Sequence, residues 1–562
     1  MNSQTDLNQK LIENPNKSPQ KGVKSEQILS KKYRAINNQS SIENRLVGSS
    51  CDADMEKILD NQKDNNELQQ AEQPQKKKER FTSFNVDDDM TWKNGPKKVL
   101  DLIVFSMQNI IYNSGLFITY ICNMYFVRLQ DSSDLMAGFG LASTFFAAFG
   151  FASIYAMNYG MQALGSQAYG AGKFELVGVI FQRGLYINLL YLISVSPLFF
   201  FLRDVLQFIG INMNVEIQTY SRLSLLFIFL ICIERSFRTY LNCQREYFIP
   251  TYCAVGAYIL HPLWLYLLCI RADLGINGIA WSMAITEGLT LLSSFIICTL
   301  LKKYQKTWDG FSRQAFLGWW EYLKISISVG ASSYIEWFSF ELQTVIVGFL
   351  NDEDQMAAHS SQVSLMLFYY MIPIALNQTI GTYLGNSVGA GQVRLSKNLI
   401  KLTYISIIIL SIIMIGIGAG VQPLFVKLYC TNDDMEHYFK LINNIYIYFF
   451  MFGDNLQGIS QCVLRTIGQE KWANVIFFSC FFLTGSGLSA ILVHVAHLGA
   501  PGAWWAYAIS AYIAVFFLVL LLKKTNIKKC LEKISDNIKT QEQKEIEDED
   551  IKLIIQEQED SS

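Results

Sequence analysis

From Lys98 to Lys524 apolar runs follow one another, each close to the ~20 residues that cross a bilayer as a helix, with short polar stretches between them. Outside that block the chain is polar. The runs begin near Val99, Leu135, Leu176, Ile217, Phe248, Ile276, Trp319, Ala357, Leu395, Tyr438, Trp472 and Pro501. Length and flanking charge therefore predict about twelve transmembrane helices and an all-α polytopic membrane protein. Residues 1–94, rich in Asn, Gln, Lys, Glu and Ser, read as a disordered N-terminal tail. Residues 526–562 read as a second polar tail, ending in the acidic stretch Glu545 to Asp550, with room for some charged helix.

Composition agrees with that pattern. The 562 residues are 51% hydrophobic and only 17% charged, and the charge gathers at the two ends, so the net charge of −2 says little about partners. The 11 cysteines follow no framework spacing and mostly sit in apolar runs, which predicts small hydrophobes with no metal cluster or disulfide scaffold. No apolar leader opens the chain, so the first span is expected to act as its own targeting signal.

Loop charge sets an orientation. Lys76–Lys78, Lys97, Lys98, Lys173, Arg245, Lys302, Lys303, Lys306, Arg313, Arg394, Lys397, Arg465, Lys471, Lys523 and Lys524 fall on one side. Asp131, Asp134, Asp273, Asp352 to Asp354, Asp433 and Asp434 fall on the other. The positive-inside bias, and the even span number, place both termini in the cytosol.

The two halves of the block resemble each other. Gly165-Ser166-Gln167-Ala168-Tyr169-Gly170-Ala171-Gly172 returns as Gly385-Asn386-Ser387-Val388-Gly389-Ala390-Gly391, and Leu274-Gly275-Ile276-Asn277-Gly278 as Leu498-Gly499-Ala500-Pro501-Gly502. Two ordered matches argue for duplication. Residues 95–305 and 306–525 are then two six-helix bundles, inserted in the same direction, with a binding site between them.

The candidate chemistry sits in the second half. Ile335-Glu336-Trp337-Phe338-Ser339-Phe340-Glu341 sets two acids in an apolar run, and a carboxylate at that depth costs ~2.5–3.5 kcal/mol or more, which marks a proton or cation pathway. Five residues apart, the two acids point about 140° from each other on a regular helix. Either they do different jobs, one at the central cleft and one bonded inside the bundle, or the helix bends between them. The structural alternative for each is an acid bonded to Ser or Tyr neighbours. Asp454 beside Asn455 and Gln457 reads as part of a hydrogen-bonded polar patch. Glu234 reads as structural, paired i,i+4 with Arg238. Trp337, Phe340, Tyr369 and Tyr370 offer faces for an organic cation, and Gln108, Asn109 and Asn113 are polar enough to line a cleft or to join helices. Pro373 should kink the eighth span.

These segments resemble a family, the multidrug and toxic compound extrusion (MATE) transporters. Gly165–Ala171 and Ser387–Gly391 are similar to its turns after the second and eighth spans, and Glu336-Trp337-Phe338-Ser339-Phe340-Glu341 is similar to the seventh span of its eukaryotic branch. The resemblance, over roughly Val99 to Lys524, implies two pseudo-symmetric six-helix bundles in a V with a central cleft. It implies a secondary antiporter that exports organic cations, xenobiotics or metabolites against inward H⁺, less often Na⁺. It places the coupling acids at Glu336, Glu341 and Asp454, and substrate contacts at Trp337, Phe340, Tyr370, Gln108 and Asn113. Where the family carries acids in the second and eighth spans, this chain has Gln162 and Ser364. Coupling is therefore expected to rest on the C-terminal half.

Other classes fit less well. Gly172-Lys173 lacks the first Gly and the Ser/Thr of a phosphate loop, so neither an enzyme nor an ATP-driven pump is expected. The five histidines show no zinc spacing, and no cofactor beyond the coupling ion, H⁺ or Na⁺, is expected. A lipid-linked flippase of the same superfamily would want cations in the cleft, and a non-transporting receptor would rely on the tails. The expected partners are a small-molecule organic cation and the bilayer, with no nucleic acid, for a monomer in the plasma membrane or an endolysosomal or vacuolar membrane.

Overall fold

The computed structural model describes residues 95–130, 133–208, 215–430, 432–538 and 540. The N-terminal tail with Lys76–Lys78, Asp131 and the acidic stretch 545–550 lie outside the described residues. Among the described residues the chain is all helix and loop. The first six rods are α1 (Gly95–Arg128), α2 (Ser133–Phe145 through a π-type turn Phe146–Phe151 to Ala152–Gly170), α3 (Phe174–Phe200), α4 (Val215–Cys243), α5 (Phe248–Leu265 with the π-type turn Tyr266–Arg271) and α6 (Gly275–Leu300). The second six are α7 (Trp319–Gly348), α8 (Glu353–Gly389), α9 (Val393–Tyr429), α10 (Asp433–Ile445, Tyr446–Phe450, Met451–Thr466), α11 (Glu470–Phe477 onward to Ile491–Val495) and α12 (Gly499–Lys524).

Ten of the twelve rods are long and apolar enough to cross a membrane by themselves. The other two are α7 and α10. Their polarity is the site itself: Glu336 and Glu341 on one, Asp454 and Arg465 on the other. Most of the connections are too short for anything but antiparallel neighbours, so the basic loops gather at one end and the acidic loops at the other.

The repeat is visible in backbone detail. In α5 and α11 the last turn widens, with Ala272 N bonding Leu267 O at 2.9 Å and Ala496 N bonding Ile491 O at 2.9 Å. Gly275 (φ +53°) and Gly499 (φ +62°) then turn the chain into the next rod, a left-handed conformation that glycine adopts freely. The α2 and α8 ends match as well: Lys173 N bonds Ala168 O and Gln392 N bonds Ser387 O, both at 3.0 Å, around Gly172 and Gly391 at positive φ.

These same ends hold the halves together. The lower part of α2 packs on α7 and α8, and α1 packs on α8 and α9. A Cβ on Gly170 would overlap the Asn386 backbone, and one on Gly389 the Gln167 backbone, so the two helices touch main chain to main chain. One apolar core runs through both halves here, from Val99 and Leu176 to Val463 and Trp504. At the acidic end the first half has its own core, Phe139, Phe199, Tyr220 and Ile279 among its members, separate from the second half.

Two features depart from the sequence pattern. The linker after α6 docks on α3 and α4: Gln182 Nε2 donates to Gly310 O at 2.8 Å, Arg183 Nη2 to Gln314 O at 3.0 Å, and Thr307 Oγ1 to Gln244 Oε1 at 3.0 Å. Beyond α12, residues 527–538 form a helix whose Leu531, Ile534 and Ile538 are buried, at the i, i+3, i+7 spacing of one face. The polar stretch from 526 has room for charged helix, and this segment is one. Its few apolar residues are spaced for a single stripe, which a composition count overlooks. As for α8, it continues through Pro373, which leaves the Tyr369 carbonyl without its helical amide partner.

The start of α8 yields a testable cap. Asp352 Oδ1 accepts from Gln355 N at 3.0 Å and its other oxygen from Gln355 Nε2 at 2.9 Å, and these bonds hold its carboxyl below the ordinary value. Asp352→Ala is expected to cost ~0.5–2 kcal/mol. Because the folded-state value is depressed, the capping contribution is complete above the unfolded carboxyl's range and fades as pH falls through the folded value. Thermal unfolding of both proteins against pH checks this: the gap should narrow on the acid side.

Candidate functional site

Where the halves separate, they enclose a cavity of about 440 Å³, walled by α1, α2, α4, α5, α6, α7, α8 and α10. Its lining carries four acids, Glu287, Glu336, Glu341 and Asp454, with aromatic faces from Tyr120, Tyr155, Trp337, Phe340 and Tyr370. No lysine or arginine is among the lining residues.

The acidic centre is built across two helices. On α10, Asp454, Gln457, Gln461 and Arg465 recur at i, i+3, i+7 and i+11, a polar stripe on one face. On α7, Ser333 and Glu336 stand one turn apart and meet that stripe. The Gln457 amide donates to Glu336 Oε1 at 2.5 Å and to Asp454 Oδ1 at 2.9 Å, so a single NH₂ group bridges the two carboxyls. Ser333 Oγ donates to Gln461 Oε1 at 3.3 Å. Glu336 is 3% exposed and Asp454 7%, against an exposed Glu341. Arg465 lies about 16 Å further along α10 by helical rise, with its guanidinium 3.9 Å from the Tyr159 ring centre on α2. The buried acids are hydrogen-bonded to an amide, and the Arg465 charge acts on Glu336 across space rather than through a direct ion pair with it.

Of the sequence candidates, Glu336, Glu341, Asp454, Trp337, Phe340, Tyr370 and Asn113 all line the cavity. Both seventh-span acids reach it despite their 140° separation, because the cavity spreads across more than one face of α7. Their settings still differ: Glu336 is tied into the α7–α10 contact, while Glu341 is exposed to the space. Phe340 stands edge-on to Phe450, with centres 5.9 Å apart, and is fixed as one wall.

Other candidates fall elsewhere. Gln108 is not among the lining residues; it sits at the α1–α5 contact, where Thr251 Oγ1 donates to its carbonyl at 3.3 Å. Asn109 Nδ2 donates to Thr379 Oγ1 at 3.0 Å and Asn113 Nδ2 to Gln378 Oε1 at 3.3 Å, so these asparagines join the halves. Tyr369 is buried against Tyr446, ring centres 6.0 Å apart, and does not line the cavity. Asn455 turns away to Ser411 on α9 at 2.9 Å and shares nothing with Asp454. The Glu234–Arg238 pair is not formed. Glu234 accepts from Tyr112 OH at 2.7 Å and lies 3.5 Å from Arg235 Nε, while Arg238 Nη2 donates to Asn109 Oδ1 at 2.6 Å. Long-range partners on α1 outbid the local i+4 spacing.

The sequence reading missed Gln457 as the bridge, Glu287 as a cavity acid, and His261. The His261 ring sits between Thr286 Oγ1 at 2.8 Å and Asn123 Oδ1 at 2.9 Å and lines the cavity. The α10 spacing would have revealed the first. Glu287, in the run from Met283 to Leu292, carries the same signal that drew attention to Glu336. Ser364, in place of a family acid, lines the cavity, but its hydroxyl is engaged with Ser360 O at 3.1 Å.

Comparison with known proteins places this architecture. The family model described as MatE matches twice, over residues 106–267 and 329–491, once in each half. Protein DETOXIFICATION 16 of Arabidopsis thaliana is 23% identical over 455 residues, covering 80% of this chain and 90% of its own. Multidrug and toxin extrusion protein 1 of Oryctolagus cuniculus is 24% identical over 371 residues, 65% of this chain and 64% of that protein. Among solved structures, the eukaryotic MATE transporter AtDTX14 superposes with a TM-score of 0.73 at 20% identity, covering 79% of this chain and all of that one. Twelve rods in two matched halves around one cavity, with a family match in each half, settle the assignment: the chain is a multi-pass membrane protein of the MatE family of multidrug and toxin extrusion transporters.

Proposed function

We propose that the protein is a secondary antiporter that exports organic cations in exchange for protons by alternating access. The observation that carries this reading is the buried Glu336–Asp454 pair bridged by Gln457 on the cavity wall. Two carboxyls this close repel each other when both are charged, so a proton or a cationic ligand relieves the same strain. Substrate and proton then compete for one negative site, the simplest basis for exchange. Glu341, exposed on the same wall, gives a bound cation a second negative group, and Trp337, Phe340 and Tyr370 supply apolar and π surface.

The loop charges support an orientation in which the tightly packed end faces the cytosol, so this conformation opens outward. The absence of cationic side chains from the cavity lining argues against a lipid-phosphate flippase.

Flux of a labelled organic cation in proteoliposomes with an imposed pH gradient tests the reading. Uptake should follow the proton gradient and be indifferent to Na⁺; uptake that follows a Na⁺ gradient instead removes the proton from the scheme. Trp337→Ala should raise KM for an aromatic cation by roughly 2- to 30-fold, the loss of one cation–π contact. The concentration dependence of initial rates checks it.

A further inference from the structure

The segment that joins the halves, between α6 and α7, does not hang beyond the spans; it lies along the side of α3. A Cβ on Gly178 would meet the Thr307 carbonyl. Further along, Gln182 donates Nε2 to Gly310 O at 2.8 Å and accepts from Ser312 N at 2.9 Å, and Arg183 Nη2 reaches Gln314 O at 3.0 Å. The Phe316 ring then stacks on Tyr186, with centres 4.9 Å apart. From Gly178 to Tyr186 these contacts advance about 12 Å along the helix. The 27 residues of α3 measure about 40 Å against a hydrocarbon core of ~30 Å, so the first turns of this span stand in the interfacial layer. Irregular backbone at that depth needs its polar groups met by protein, and Gln182 and Arg183 do so from the span itself.

The outer side of the segment is aromatic and basic. Phe311 is 83% exposed, Phe316 60% and Trp320 71%, so most of each ring lies outside the protein. These rings continue the bare apolar surface of α6 and its end, at Leu300 and Leu301, and of α7 at Ile327. Among them stand the exposed Lys302, Lys306, Arg313 and Lys324, against exposed Asp309 and Glu321, while Lys303 is paired with Glu246 at 2.9 Å. Rings interleaved with cations suit the headgroup layer, where the rings fill the acyl boundary and long cationic side chains reach the phosphates.

We propose that residues 306–320 form an interfacial strap that binds anionic lipid headgroups of the leaflet at the basic end. Phe311, Phe316 and Trp320 enter the acyl boundary, and Lys306 and Arg313 meet the phosphates. Pinned to α3, the strap belongs to the first half and ties it to the membrane beside the joint with α7. The inference uses the membrane-spanning fold alone and is independent of the coupling chemistry proposed for α7 and α10.

A fluorescent amino acid in place of Phe311, in the full-length protein reconstituted one copy per nanodisc, reads these surroundings directly. The discs are phosphatidylcholine carrying a nitroxide-labelled lipid, either phosphatidylserine or phosphatidylcholine, at equal low mole fraction. The expected result is quenching by the nitroxide lipid and protection from aqueous iodide, the serine lipid being roughly 5-fold more effective for each cation engaged. Arg313→Gln together with Lys306→Gln should bring the two lipids level while quenching by phosphatidylcholine persists. The same probe in place of Trp320 gives a second reading should position 311 not tolerate it. Iodide quenching without lipid quenching places the segment in water and overturns the proposal. Protection from both agents also overturns it, because another part of the chain then covers the rings. Equal quenching by the two lipids in the protein with both cations intact removes the headgroup binding and overturns it as well.

Discussion

Replacing Glu336 by Gln is expected to reduce proton-driven efflux of an organic cation at least tenfold and to flatten its dependence on pH. Gln has nearly the shape of Glu and can still meet the Gln457 amide, so the α7–α10 contact should survive. What it cannot do is ionise. A carboxylate and a cation ~4 Å apart attract by about 4 kcal/mol at an effective dielectric constant near 20, and desolvation offsets part of that. Even ~1.4 kcal/mol of what remains corresponds to a factor of ten in binding. Loss of the ionisable group should also break the competition between proton and substrate, so binding should no longer weaken on acidification. Asp454→Asn should act in the same direction. Glu341→Gln should change the pH dependence less, because its carboxyl is exposed and stands outside the Gln457 bridge. Substrate affinity measured across pH, beside proteoliposome flux, separates these effects. Unaltered rate and pH dependence in Glu336→Gln would remove the proton role from that residue.

The sequence makes the frame legible for a physical reason. Membrane spans must satisfy every backbone group internally, so apolar runs of bilayer length translate directly into helices, and an acid inside such a run stands out. Glu336 and Glu341 stand out in this way, whereas Asp454 is reached through the family resemblance. Partner choice was less accessible. Whether Glu234 meets Arg238 on its own helix or Tyr112 on another depends on tertiary approach that helical spacing does not encode. Tyr369 and Tyr370 are neighbours in sequence but ~100° apart on the helix, so one is core and the other cavity. Gln108 and Asn113 are five residues apart on α1 and part company in the same manner. Polarity on α7 and α10, which weakens their membrane-span signal, is the price of carrying the bridged acids.

The closed end yields the second large effect. Gly389→Ala places a methyl group where the Gln167 main chain already lies, and a backbone cannot swing aside as a side chain can. The two helix ends must separate, at an overpacking cost of ~1–3 kcal/mol. That cost falls on the arrangement with α2 and α8 in contact and is absent from any arrangement in which they part. Under alternating access the substitution therefore shifts the equilibrium toward the opposite opening by roughly 5- to 150-fold. Spin labels on the exposed positions Glu175, in the first turn of α3, and Gln392, just before α9, should report a growing longer-distance population. Turnover should fall, because the arrangement with α2 and α8 in contact is now the scarce one. Gly416→Ala is the matched control: a Cβ there meets nothing within 4 Å, so both readouts should stay near those of the unaltered protein. If Gly389→Ala behaves like Gly416→Ala, the glycine contact is packing alone and the gate lies elsewhere.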